Sequence, residues 1–160
     1  MRIHLSADSA GFAFAHSLIE RLEREGDVVY HGAETFDHGD DYPAYAIACA
    51  QAVVEDEDRG IDVRGVVVGA TGAGEAIVAN KVAGVRAVLA TSPETAILAR
   101  AHADANVLAI GVELTNSALS TAIVEAFLSS PFLVDADDVR RIIYTAEYES
   151  AGTIEGWAIA

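Results

Sequence analysis

The sequence predicts an α/β fold: a Rossmann-like three-layer α/β/α sandwich around a five-stranded parallel sheet. Three observations carry that expectation. Short apolar runs of strand character alternate with longer amphipathic segments of helical period along most of the chain. One of those runs, Gly65 to Val68, leads straight into glycine-rich turn chemistry. Finally, 160 residues, 52% of them hydrophobic, can bury roughly two thirds of the surface the unfolded chain exposes, so one core forms without staples.

In chain order, Arg2 to Ala7 reads as a strand, Gly11 to Glu25 as a helix, Val28 to His31 as a strand and Tyr42 to Glu55 as a helix. The alternation repeats with the strand Gly65 to Val68, the helix Glu75 to Lys81, the strand Arg86 to Ala90, the helix Pro93 to Ala103 and the strand Val107 to Ile110. Asn116 to Leu128 is a further helix, capped by Asn116 or Thr115. This alternation places the strands parallel with helices on both faces. After Pro131 the pattern changes. Asp135 to Ser150 is a charged helix with Val139, Ile142, Ile143 and Ala146 on one face, and it follows a sheet already complete. It is expected to pack on a second subunit, the other reading being that it covers its own domain. The last residues, 152–160, read equally as a loose tail or a strap across a partner.

Composition bounds the rest. A single cysteine, Cys49, excludes a disulfide framework and reads as a buried small hydrophobe inside its helix. No basic segment leads into a long apolar run, and no stretch of about 18 uncharged apolar residues exists, so a cytoplasmic protein without a membrane role is expected. The whole chain, residues 1–160, reads as one domain. A formal charge of −15 with scattered cations argues against nucleic acid. His4, His16, His31 and His38 show no metal-ligand spacing, and neither metal nor cofactor is expected.

Ligands of such sheets bind beyond the carboxyl ends of the strands, which directs attention to Asp8 to Gly11, Gly69 to Glu75 and the segment around His102. The stretch Gly69-Ala70-Thr71-Gly72-Ala73-Gly74-Glu75 follows a buried strand and opens a helix. Its small residues let backbone N–H groups approach a negative charge at a helix N-terminus. A dinucleotide fingerprint would need glycine where Ile77 stands, and no Gly-Lys-Ser/Thr follows for a Walker loop. Glu75 alone is explained by the helix dipole and Thr71 alone by a turn. Together with the amides they bring hydroxyl, donor nest and carboxylate within five residues, suited to a developing oxyanion beside a base.

These residues resemble a known family, the ribose-5-phosphate isomerase B and galactose-6-phosphate isomerase group. The resemblance runs through Gly69 to Lys81, Gly84-Val-Arg-Ala, Ala99 to Gly111, Asp8 to Phe12, Asp41-Tyr-Pro43 and Ala146-Glu-Tyr148, covering nearly the whole chain in order. It implies an aldose–ketose isomerase working through an enediolate on a sugar or sugar phosphate, without cofactor, as a homodimer or tetramer with its active site between subunits. Many members carry a cysteine base where Gly69 stands. This chain resembles an actinobacterial-type branch whose base is a glutamate at the position of Glu75. By the same resemblance Thr71 and His102 assist ring opening in one cleft, Asp8 and Tyr42 contact the sugar, the amides of Gly72, Ala73 and Gly74 serve the oxyanion, and Lys81 steadies the loop.

The departures from the family gather on phosphate recognition. Where the family shows a histidine, an arginine, an asparagine and a segment rich in arginine and histidine, this chain has Ser9, Glu113, Ala103 and the acidic run Asp135 to Asp138. Arg140 and Arg141 survive. A hydrogen bond to a charged group contributes about 1.5 to 3 kcal/mol, so two lost cations weaken phosphate binding by roughly two to four orders of magnitude. The expectation is a retained proton-transfer apparatus with an altered distal end, for an unphosphorylated or differently substituted sugar. Two alternatives stay open: a plain ribose-5-phosphate isomerase, and a non-catalytic sugar-binding paralogue or partner subunit.

Overall fold

The computed structural model of the protein describes residues 1–156. Five parallel strands, β1 (Arg2–Ala7), β2 (Asp27–Tyr30), β3 (Val63–Gly69), β4 (Ala87–Leu89) and β5 (Val107–Gly111), form one sheet in the order β2-β1-β3-β5-β4. Six helices accompany them: α1 (Phe12–Leu22), α2 (Tyr42–Asp58), α3 (Ala73–Ala79), α4 (Pro93–Ala103), α5 (Ser117–Ser129) and α6 (Ala136–Ala151). Strand side chains alternate between faces, so each face of the sheet grows its own core. On one, Ile3, Leu5, Val66, Val68, Leu108 and Ile110 meet Leu18 of α1, Ala96 of α4 and Phe127 of α5. On the other, Val63, Val67, Val107 and Ala109 meet Cys49 and Val53 of α2 and Ala79 of α3. This is the expected sandwich. Cys49 is fully buried, and burial pushes its thiol up to about 12, which makes it a packing residue.

β2 lies on one side of β1 and β3 on the other, so the chain reverses direction across the sheet between β1 and β3. Such a reversal opens a crevice at the strands' carboxyl ends. There, Asp8 follows β1 and the loop 70–72 follows β3. α6 has no strand to cover. Ile143 and Tyr148 on it, and Leu133 and Val134 before it, are exposed, and Asp138 is its one buried residue. Trp157 and Ile159 of the tail lie outside the described residues. No helix among the described residues is long and apolar enough to cross a membrane.

Candidate active site

Glu75 sits in the first turn of α3, yet only 4% of it is exposed. Its carboxylate folds back over the Cα of Gly69 at the end of β3, occupying the volume that any side chain at 69 would need. Glycine at 69 is therefore a condition for where this carboxylate lies. The first-loop residues meet it there. Asp8 accepts a hydrogen bond from the Gly11 N–H at 3.0 Å, and its charge bears on Glu75. Burial holds the Glu75 carboxyl above the ordinary value; its own backbone N–H opposes that rise in part, and the negative charge of Asp8 adds to it. A carboxyl poised upward in this way is a better proton acceptor once ionised.

Around this carboxylate the remaining predicted residues of the carboxyl edge assemble. The Tyr42 ring, at the start of α2, lies against the Cα of Gly74, where a Cβ would come within 2.5 Å of Cζ. The Thr71 hydroxyl is exposed at the mouth of the loop and accepts a long hydrogen bond, 3.4 Å, from the Ala73 N–H. Gly72 caps α3, so Ala73 and Gly74 join its first turn. Glu113 stands two residues after β5, its N–H donating to the Ala70 carbonyl at 2.9 Å, which puts this exposed residue beside the same loop. Ser9 is held by Asp40, which accepts its backbone N–H at 2.8 Å. Asp40 was not among the expected residues; only its place just before the Asp41-Tyr-Pro43 stretch hinted at it. Lys81 is exposed, and its backbone closes the turn after α3 with no side-chain bond to the loop.

His102, Ala103, Arg140 and Arg141 are elsewhere. α4 runs back from the carboxyl edge to the start of β5, so His102, in its last turn, stands at the amino edge of the sheet. β5 alone, five residues long, sets about 16 Å between the two edges. The expectation that Thr71 and His102 open onto one cleft is thus not met within a single chain, because parallel topology sends the end of every connecting helix to the opposite edge. The helix end itself is rigid: Arg100 is buried, bonding Asp104 at 2.7 Å and the Ala105 carbonyl at 2.6 Å. A cavity of about 260 Å³ there is lined by Arg86, His102, Ala103, Arg141, Ile142 and Thr145.

The cations at this edge are already engaged. Arg140 pairs with Asp137 at 2.6 Å and Arg141 with Asp138 at 2.6 Å, each one helical turn apart. Asp138 also accepts from Nδ1 of His102 at 2.8 Å. That bond first, and the one from Arg141 after it, hold the Asp138 carboxyl below the ordinary value against the effect of burial. The histidines assigned no role include a pair of which one member is buried: His4 contacts the half-buried His31 at 2.8 Å and Asp56 at 3.1 Å, with Arg2 on the same carboxylate.

The fold and its buried carboxylate beside a small-residue loop at the crevice define a Rossmann-like α/β protein with a candidate site at the carboxyl edge of its sheet. The chain matches the ribose/galactose isomerase family over residues 3–143, and belongs to that family. It is 43% identical over 150 residues to ribose-5-phosphate isomerase B of Mycolicibacterium paratuberculosis, covering 93% of this chain and 92% of that one. The Escherichia coli ribose-5-phosphate isomerase B is 36% identical over 131 residues, covering 82% and 85%. Among solved structures, ribose-5-phosphate isomerase B from Mycoplasma genitalium with bound ribulose-5-phosphate aligns with a TM-score of 0.88 at 34% identity, over 94% of this chain and 97% of that one.

Proposed function

We propose that the protein interconverts an aldose and a ketose through an enediolate, at a site composed of the carboxyl edge of one subunit and the α4–α6 corner of another, and that its sugar carries no phosphate. The observation that carries the distal-end reading is the pairing of Arg140 with Asp137 and of Arg141 with Asp138. With Glu113 exposed beside the loop and a chain charge of −15, an anionic substituent would meet no unpaired cation from these residues and a repulsive field. A hydroxyl-rich end meets carboxylates that accept its hydrogen bonds.

In this reading the steps follow from ordinary carbohydrate chemistry. His102 takes the proton of the anomeric hydroxyl, C1=O1 forms as the ring C1–O bond breaks, and the imidazolium returns that proton to the ring oxygen, with the Thr71 hydroxyl in support. The Glu75 carboxylate then removes the C2 proton, and the electron pair moves to C1=C2, leaving O1 negative before the amides of Gly72, Ala73 and Gly74. Delivery of the proton to C1 and transfer of the O2 proton to O1 complete the ketose. Asp8, Ser9 and Tyr42 hold the sugar's hydroxyls. Exposed apolar residues on and before α6, with His102 and Glu75 at opposite sheet edges, support a second copy as the source of the other half.

The test is saturation kinetics in deuterium oxide with ribose 5-phosphate, tetrulose phosphates, free pentoses and free hexoses, reading deuterium at the exchanged carbon. A neutral sugar is expected to exchange and saturate, with kcat/KM for ribose 5-phosphate lower by roughly two orders of magnitude or more. Efficient saturable turnover of ribose 5-phosphate alone refutes the altered distal end and leaves a plain ribose-5-phosphate isomerase. Absence of exchange with every sugar refutes the isomerase reading in favour of a binding paralogue.

A further inference from the structure

We infer that Asp138 is a positioning residue for His102: its buried carboxylate accepts Nδ1–H of the imidazole and thereby fixes the tautomer whose Nε2 is bare and able to take a proton from the sugar. This rests on the reading of His102 as the ring-opening group. A carboxylate only accepts hydrogen bonds, so the 2.8 Å contact requires a proton on Nδ1. The remaining ring nitrogen is then an acceptor while the ring is neutral, and the adjacent negative charge favours the imidazolium once it forms.

The two partners differ in the way such a device requires. The side chain of Asp138 is 10% exposed and that of His102 is 54% exposed, so a fixed carboxylate orients a ring that faces the open cavity. Asp138 is itself held from three sides. It lies in the first turn of α6, where the helix dipole favours a carboxylate; Arg141 binds its other oxygen at 2.6 Å; and Asp135 caps the helix by accepting the Asp137 N–H at 2.9 Å. The same carboxylate thus withdraws Arg141 from anion recognition and sets the state of His102. Other charges near the ring are Arg86 across the cavity, and Arg100 and Asp104 on its own helix, where Asp104 takes bonds from both arginines.

The experiment uses the full chain, labelled with 15N-histidine, and reads the His102 tautomer by long-range 1H–15N spectra in wild type, Asp138→Asn and Asp138→Ala, with assignment from His102→Gln. In parallel, kcat/KM is followed against pH on the sugars named above. Wild type is expected to show the Nδ1–H tautomer. In Asp138→Asn the amide oxygen stays with the donor Arg141 and the amide N–H faces Nδ1 of His102, so the ring is driven to the opposite, Nε2–H tautomer; Asp138→Ala removes the partner and leaves both tautomers populated. kcat/KM falls in step with the loss of the Nδ1–H tautomer, which a purely structural clamp between helices would leave in place. An Nδ1–H tautomer retained in both variants overturns the inference, as does a lost tautomer with unchanged kcat/KM. If wild type isomerises none of the sugars, or His102→Gln keeps full activity, the reading of the site fails with it. The substrate-free spectra separate that failure from one of the Asp138–His102 pair.

Discussion

The two edges of the sheet are built in opposite ways. At the carboxyl edge, Glu75 is buried over Gly69, Tyr42 rests on Gly74, and Asp8 and Ser9 are tied down through Gly11 and Asp40, so one chain supplies a finished geometry. At the amino edge, His102 projects from the end of α4 beside a helix that buries little but Asp138, and every cation of α6 faces an acid one turn away. The contrast teaches that, on the proposed reading, the base and its amides are complete on one surface of this fold while the ring-opening His102 and the paired arginines stand on another. One is fixed by backbone approach and packing. The other is fixed by side-chain charges that substitution alters freely, leaving the core untouched.

Removing the charge at the finished edge is the strongest way to break this contrast. Glu75→Gln is expected to lower kcat by about two to four orders of magnitude, the range for a lost general base, with the fold intact. Stability moves the other way. The folded carboxyl titrates above its ordinary value, so the folded state holds the proton more tightly than the unfolded chain, and stability declines as pH rises through that window. Gln removes the cost of the buried charge, so the variant's melting temperature exceeds that of wild type at pH 7, and the gap closes near pH 4. Comparable turnover in the variant would sink the assignment of Glu75.

A subunit-mixing experiment tests whether the two edges meet between copies. Glu75→Gln and His102→Ala, each nearly inactive, are co-expressed with separate tags. In a two-fold dimer, half of randomly assorted dimers carry both changes, each with one intact site, so activity returns to about a quarter of wild type. A mixture as dead as its parents would mean that each site draws on one chain. A smaller effect is expected from restoring a cation. Glu113→Arg should lower KM for ribose 5-phosphate about ten- to a hundredfold, the worth of one charge-assisted hydrogen bond, and leave turnover of a neutral sugar within about twofold. No change would argue that Glu113 lies outside the distal pocket.

Local patterns made the scaffold legible. β1 and α4 span the residues that periodicity indicates, and in α4 the structure adds a reason, a Ser92 capping box just before Pro93. α3 instead starts two residues early, at Ala73, since Gly72 rather than the loop's end caps it. β3 runs from Val63 to Gly69, longer than its β-branched stretch, because pairing with β1 and β5 on both sides carries Arg64 and Gly69 into the ladder. The candidate site was legible as a set of candidate residues and not as an arrangement. Nothing in the chain's spacing reveals that Glu75 fills the side-chain volume of Gly69, or that His102 reaches Asp138 across two helices. The Asp138–Arg141 pair, three residues apart on one helix, follows the ordinary neighbour rule and explains why those cations are not available.

The connector into α6 offers the mildest perturbation. Val134 has φ of +55°, a left-handed conformation that a β-branched residue adopts at a cost of order 1 to 3 kcal/mol. The residue is 68% exposed, so packing does not repay that cost within one subunit. Asn tolerates this region far better. Val134→Asn is therefore expected to stabilise the protein by about 1 kcal/mol, a rise of roughly 2 to 4 °C in melting temperature at this chain length. If instead the melting temperature falls and becomes more dependent on protein concentration, Val134 contributes apolar contact to a second subunit. The strain would then be the cost of presenting α6, with Asp138 and His102 at its base, to the partner's carboxyl edge.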